Sequence, residues 1–242
     1  MQNRLYDRPT DSVRESATNV KEIDMSTCQR LLMVVLNAIP ILHATLLIAC
    51  AAVSTMTAWQ RVVVGLAILY LLPPCLCRLV MVFSPIHRTH IAVGTREFFT
   101  WWSLLNLQVV FCRFSFLEEL LRMVPGLYSA WLRLWGSRIG RLTYWAAGTA
   151  ILERQYLDIG DDVMLGAGAR LNAHVLVRNN TGQLELLLAP IKIGAGAMVG
   201  GYSLLTTGTE IAPGEMTRAM TMSPPFTRWE NGRREKIEND WR

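Results

Sequence analysis

The chain has 242 residues, enough for one large or two small domains, and a formal net charge of +5. Hydrophobic residues make up 51% of it, and the surplus lies before residue 136, which points to a membrane segment joined to a water-exposed domain. The basic residues are scattered and no aromatic-and-basic RNA-binding motif appears, so the pattern suits anionic lipid headgroups or another anionic ligand rather than nucleic acid.

Residues 1–27 are polar and carry Arg4, Arg8, Arg14 and Lys21. They read as a cytoplasmic tail with little fixed structure. The tail is too polar, and the apolar run after it too long, for a cleaved signal peptide. Residues 28–138 read as a transmembrane hairpin followed by interfacial helices. The first span, 31–53, is apolar except for Asn37, His43 and Thr45, with Pro40 inside it. A span needs about 20 residues. A short turn follows, and 62–83 is the second span, broken by Pro73 and Pro74. Basic residues favour the tail and the stretch after Phe83 (Arg88, Arg96), while the turn offers only Arg61. The positive-inside rule therefore puts both ends of the hairpin in the cytoplasm.

The five cysteines, Cys28, Cys50, Cys75, Cys77 and Cys112, all lie in this apolar half. They read as small apolar residues and imply no disulfide framework. His43 reads as neutral and bonded to a neighbour. His87 and His90 lack an adjoining Asp, Glu or Cys, so their segment reads as a loop rather than a metal site. Residues 98–117 could span the membrane or lie along it, since Asn106, Gln108 and Arg113 interrupt an aromatic run; a surface-lying or re-entrant segment is preferred. Residues 117–135 are amphipathic at helical spacing, with a break at Pro125 and Gly126. Trp131, Leu132, Leu134 and Trp135 form the burying face, and Arg133 and Arg138 are placed to meet phosphates.

From Ile159 the period changes to six. Units open at Ile159, Leu165 and Leu171, and resume at Ile193, Val199, Leu205 and Ile211. An aliphatic residue opens each unit, and a small or polar one usually follows. The fifth position is Val163, Ala169, Val175, Ala197, Ser203 and Thr209; only Glu215 breaks that rule. Weaker units open at Ile139, Trp145 and Ile151, before a two-residue shift at Leu157. A period of six fits neither a helix nor an alternating strand. It fits a chain that makes a short strand, turns a corner and repeats, with three units closing one triangular coil. Residues 139–223 form this region, and 178–190 interrupt it as a loop, where function tends to be placed. Residues 224–242 read as a charged terminal helix or extended arm capping the last coil.

These repeats resemble the hexapeptide-repeat, left-handed parallel β-helix acyltransferases. The resemblance covers roughly the last two fifths of the chain, and the left hand comes from it alone. The expected fold is thus α+β: a transmembrane helical hairpin and amphipathic helices followed by a β-helix. The resemblance implies transfer of an acyl group from a coenzyme A or acyl carrier protein thioester to a hydroxyl or amine. It also implies a homotrimer, with sites formed between subunits, and a loop that covers a neighbour's site. Such a protein would sit on the inner membrane, bound to lipid, with the coil in the cytoplasm and a lipid-linked, sugar or other amphipathic acceptor.

His174 is the one histidine in the repeats and stands just before the loop. The resemblance makes it the general base, which needs an imidazole within hydrogen-bond reach of the acceptor. Asn172 falls on the same side of the strand and is a candidate to orient the ring or the acceptor. Stacking the 171 unit under the 199 unit would bring Tyr202 over His174 as a pocket wall. Backbone N–H groups at Gly166, Gly168, Gly194 and Gly196 are candidates to hold the donor and its oxyanion. No metal is expected; the three-histidine site of gamma-class carbonic anhydrases would need histidines that the repeats lack. A non-enzymatic trimeric membrane scaffold for a biosynthetic complex is the alternative.

Overall fold

The computed structural model describes residues 25–179 and 181–237. Most of the predicted polar tail and the last five residues of the charged arm lie outside them. The chain starts as helices. They are α1 (Thr27–Asn37), α2 (Ile39–Ala52), α3 (Ala58–Tyr70) and α4 (Leu72–Phe83). Reciprocal capping boxes start α1 (Ser26 with Gln29) and α3 (Thr57 with Gln60). Taken together, Thr27–Ala52 and Ala58–Phe83 are each long and apolar enough to cross a membrane.

Proline marks the joint within each of these long helices. Pro74 has no N–H to give the Tyr70 carbonyl; the Trp131 indole donates to it instead, at 2.8 Å. His43 bonds the Ile68 carbonyl across the hairpin through Nε2 at 3.0 Å.

Strand β1 (His90–Ala92) leads to α5 (Arg96–Arg113), α6 (Phe116–Arg122) and α7 (Leu127–Trp135). Of the surface-lying or re-entrant segment expected at 98–117, residues 98–111 do not lie exposed along a surface. Helix α5 is a core helix, with Trp101, Leu104 and Phe111 buried. Two of its interrupting polar residues, Asn106 and Gln108, are buried too and have partners, while Arg113 is exposed. Gln108 accepts from the Arg154 backbone N–H at 2.8 Å and donates to Gln155 Oε1 at 3.0 Å. In α7, Trp131, Leu132 and Trp135 are buried, but Leu134 faces out.

The coil follows. Its first turn is β2 (Arg138–Ile139), β3 (Tyr144–Trp145) and β4 (Ala150–Ile151). Its second is β5 (Leu157–Ile159), β6 (Met164–Leu165) and β7 (Arg170–Leu171). The chain then leaves as an antiparallel hairpin, β8 (His174–Arg178) and β9 (Leu184–Leu188). It returns for β10 (Ile191–Ile193), β11 (Met198–Val199) and β12 (Leu204–Leu205), then β13 (Glu210–Ile211), a bridge at Met216, and β14 (Met222–Ser223). Each strand pairs in parallel with the strand one turn away, so three parallel sheets enclose a prism. The register shift after the first turn is visible as Ile139 pairing with Ile159. Openers such as Leu165, Leu171 and Leu205 are buried, as are Val163, Ala169, Ala197, Ser203 and Thr209 at the fifth place. Val175 is the exception, because it belongs to the hairpin.

The described part of the charged arm is extended rather than helical. It forms a second hairpin, β15 (Thr227–Glu230) with β16 (Arg233–Lys236), and β15 adds in parallel to β13.

A buried ion cluster welds helices to coil. The Glu118 carboxylate accepts from Arg154 Nε at 2.6 Å, from Arg122 at 3.1 Å and from the Tyr128 hydroxyl at 2.8 Å. The Arg154 guanidinium also faces the rings of Phe111, Trp131 and Trp135, 5.6–5.9 Å away. Burial, and then the Glu118 charge, push the Tyr128 phenol far up, so it stays a donor. Burial opposes the charge on Arg154, yet Glu118 beside it holds its pKa above the ordinary value. Removing one partner of a buried pair strands the other charge. Glu118→Ala should therefore cost about 3–5 kcal/mol. Glu119→Ala, which breaks a more exposed contact with Arg122, should cost about 1 kcal/mol or less. Denaturant unfolding of the purified protein measures both.

Candidate active site

The β8–β9 hairpin is held on both sides. β9 also pairs with β1, making a three-stranded antiparallel sheet. That sheet packs on the first half of α5 through Ile91, Phe98, Trp101, Leu186 and Leu188. His90 Nδ1 lies 3.3 Å from Glu185 across the β1–β9 pair. The interruption in the repeats is therefore an ordered element that begins at His174, four residues earlier than the 178–190 loop read from the sequence.

His174 stands where the chain leaves the prism. The Trp101 indole meets its ring at a 62° tilt, with centroids 4.9 Å apart. Beneath it lies Glu153, on the corner after β4, with a side chain 0% exposed. His174 Nδ1 bonds Glu153 Oε1. Glu153 Oε2 accepts from the Ala173 N–H at 3.0 Å. The carboxylate thus holds both the ring and the backbone next to it. Its own position is fixed by its neighbour: Arg154 is tied by its backbone N–H to Gln108 and by its side chain to Glu118.

This arrangement sets the chemistry of the ring. With Nδ1–H donating to Glu153, the neutral imidazole carries its free lone pair on Nε2. Nε2 has no hydrogen-bond partner among the described residues, and the side chain is 19% exposed. An imidazole held in this way, with a buried carboxylate behind it, has the chemistry to accept a proton at Nε2.

The other residues singled out in the sequence sit differently. Asn172 shares the outer side of the strand with His174, since Leu171 and Ala173 between and before them are buried. Its carboxamide makes no hydrogen bond among the described residues. Tyr202 does not wall His174. Leu171 pairs with Leu205, not Val199, because the excursion is longer than the loop excised from the sequence. Tyr202 instead packs on Gly168, where an added Cβ would sit 2.6 Å from its ring.

The four glycines are not free oxyanion donors. Their N–H groups already bond the carbonyls of Val199 (Gly166, 2.8 Å), Ala147 (Gly168, 3.0 Å), Ile211 (Gly194, 2.8 Å) and Asp161 (Gly196, 2.8 Å). In a stacked coil the corner amides are consumed by the next turn. Glycine is needed at two of these corners for another reason: a Cβ at Gly166 or Gly194 would lie 2.4 Å from a backbone nitrogen of the adjacent turn. No group of three His, Cys, Asp or Glu side chains is placed to hold a metal among the described residues.

Glu153 was not found from the sequence. The signal existed: it stands one coil back from Ala173, at the same 20-residue offset that pairs Ile139 with Ile159.

No family model matches the chain, and no curated protein matches it. Among solved structures, a hexapeptide-repeat-containing acetyltransferase of Vibrio cholerae, complexed with acetyl coenzyme A, aligns at 14% identity and a TM-score of 0.35. That alignment covers 55% of this chain and 88% of the other. A maltose O-acetyltransferase of Clostridium difficile aligns at 17% identity and a TM-score of 0.33, covering 56% and 89%.

Glu153→Gln removes the charge that selects the Nδ1–H tautomer. In the parent protein, nitrogen-15 resonances of His174 at alkaline pH should show a bare Nε2 and a protonated Nδ1. In the variant they should show a mixture of tautomers.

Proposed function

We propose that this protein is a membrane-anchored acyltransferase in which His174 is the general base and Glu153 holds it. The observation that carries the reading is the buried Glu153 bonded to His174 Nδ1 at the one place where the chain leaves the coil. Nε2 takes the proton from an acceptor hydroxyl or amine as that atom attacks the thioester carbonyl. The tetrahedral intermediate collapses, the C–S bond breaks, and the imidazolium returns the proton to the departing thiolate. The donor is a coenzyme A or acyl carrier protein thioester. Asn172, with its carboxamide unengaged, is the nearest polar side chain along the strand to orient the acceptor.

The anchor is the pair of long apolar helices. Their outward side chains, among them Leu31, Val34, Ile41, Leu42, Val62 and Val82, are exposed and suit a lipid surround. The apolar surface continues over Phe114, Phe116, Leu120, Met123 and Val124. Both ends of the hairpin then lie on the cytoplasmic side, where thioester donors are made, and the acceptor is lipid-linked, a sugar or otherwise amphipathic.

The working unit is a homotrimer. Tyr144, Met164, Met198 and Met216 stack in register on one outer face of the coil. All four are exposed and form a stripe that suits a second copy of the chain.

His174→Ala should lower transfer by about 10²–10⁴-fold with assembly unchanged. Release of free thiol from acetyl coenzyme A with an extracted lipid acceptor measures it. Turnover equal to the parent would sink the assignment and leave a membrane scaffold as the better reading. Met198→Glu should convert the trimer to monomers in sedimentation of the detergent-solubilised protein; an unchanged trimer would move the interface elsewhere.

A further inference from the structure

Two shallow surface hollows that share a wall lie beside α7 and β2–β3, forming two lobes. One lobe is about 560 Å³; Val124, Pro125, Leu142, Tyr144 and Trp145 make its apolar wall, and Arg122, Ser129, Thr143 and Arg133 also border it. The other is about 570 Å³ and is lined by Arg78, Arg133, Arg138 and Asp161. Arg133 and Gly140 belong to both. The apolar lobe opens beside Met123, Val124 and Leu127, which are exposed.

The arginines are held but not neutralised. Arg78 comes from α4 and donates to the carbonyls of Leu134 (3.2 Å) and Arg133 (3.1 Å) at the end of α7. Arg133 donates to the carbonyls of Ile139 and Gly140, both at 2.9 Å. Each guanidinium has five N–H groups, so each keeps donors in a fixed direction after these bonds. Neither meets a carboxylate among the described residues. Arg138 has only a loose contact with Asp158, 3.7 Å away. Asp161 is bound mainly to Arg141: its carboxylate accepts from the Arg141 N–H at 2.7 Å and faces the Arg141 side chain at 3.5 Å, and the more distant Arg133 charge acts on it less.

We propose that this cleft binds one anionic phospholipid, its phosphate on Arg78 and Arg133 and its acyl chain in the lobe of Val124, Leu142 and Trp145. Guanidinium forks match phosphate oxygens, and a basic pocket beside a membrane helix is a headgroup site by the same chemistry. The bound lipid would bridge α4, α7 and the first coil, and so fix the height of the coil above the bilayer. The inference rests on the membrane reading of the hairpin but not on the acyl transfer.

The test is native mass spectrometry of the full-length protein in detergent, titrated with phosphatidylglycerol or with phosphatidylcholine of the same chains. The parent should retain phosphatidylglycerol about tenfold better. The preference should vanish in R78Q/R133Q. It should also vanish in Leu142→Asp, which sets a carboxylate at the mouth of the apolar lobe at a residue that is 84% exposed and so leaves the core intact. Glycerol phosphate and inorganic phosphate should not displace the lipid. Equal retention of the two lipids, or full retention by Leu142→Asp, would overturn the proposal. Displacement by inorganic phosphate would overturn its lipid half and make this a phosphate site. Carbonate extraction of the protein from membranes reports separately on the anchor.

Discussion

The Glu118–Arg154 ion pair joins two halves of the chain with different surroundings. Glu118 lies on a helix among apolar neighbours, and Arg154 lies on the corner of the coil's first turn. Two charges this deep are tolerated because each is met by more than one partner: Arg122 and Tyr128 on one side, Gln108 and three aromatic rings on the other. The cost of desolvating them is offset only while the geometry is complete. The pair therefore fixes the angle between the helical layer and the prism, and it fixes the residue before Arg154, which is Glu153.

That adjacency links architecture to chemistry. Glu153 orients His174, and Trp101 from α5 covers the ring. The ring is thus gripped from the coil and from the helices at once. A histidine on a free loop would sample many rotamers and both tautomers. Here the hairpin carrying it is stitched to β1, which follows the second long helix directly in sequence. The orientation of the imidazole is in this way tied to the apolar hairpin.

The long helices are also less independent of the coil than an anchor on a linker would be. Trp131 takes the carbonyl that Pro74 leaves free, and Arg78 caps the end of α7. Both contacts run between the second long helix and α7, the helix that leads into the coil.

Much of this was legible in the sequence because it is local and repetitive. The six-residue period, the small residues at the fifth position and the two-residue shift at Leu157 report a steric rule that acts within a few residues. The two long apolar runs report a solvent preference that needs no partner. What only the tertiary structure decided involves residues distant in sequence. Asn106 and Gln108 looked like interruptions of a surface helix, and both are buried with partners: Gln108 serves Arg154, and Asn106 donates to the Trp102 carbonyl. The corner glycines looked like free amides, and the adjacent turn consumes them. Tyr202 was misplaced because the length of an excursion sets which turns stack, and the hairpin already includes His174–Val177, which the six-residue period counted with the coil. Glu153 escaped notice because a carboxylate becomes a partner for an imidazole only when one full turn of the coil has brought the two together.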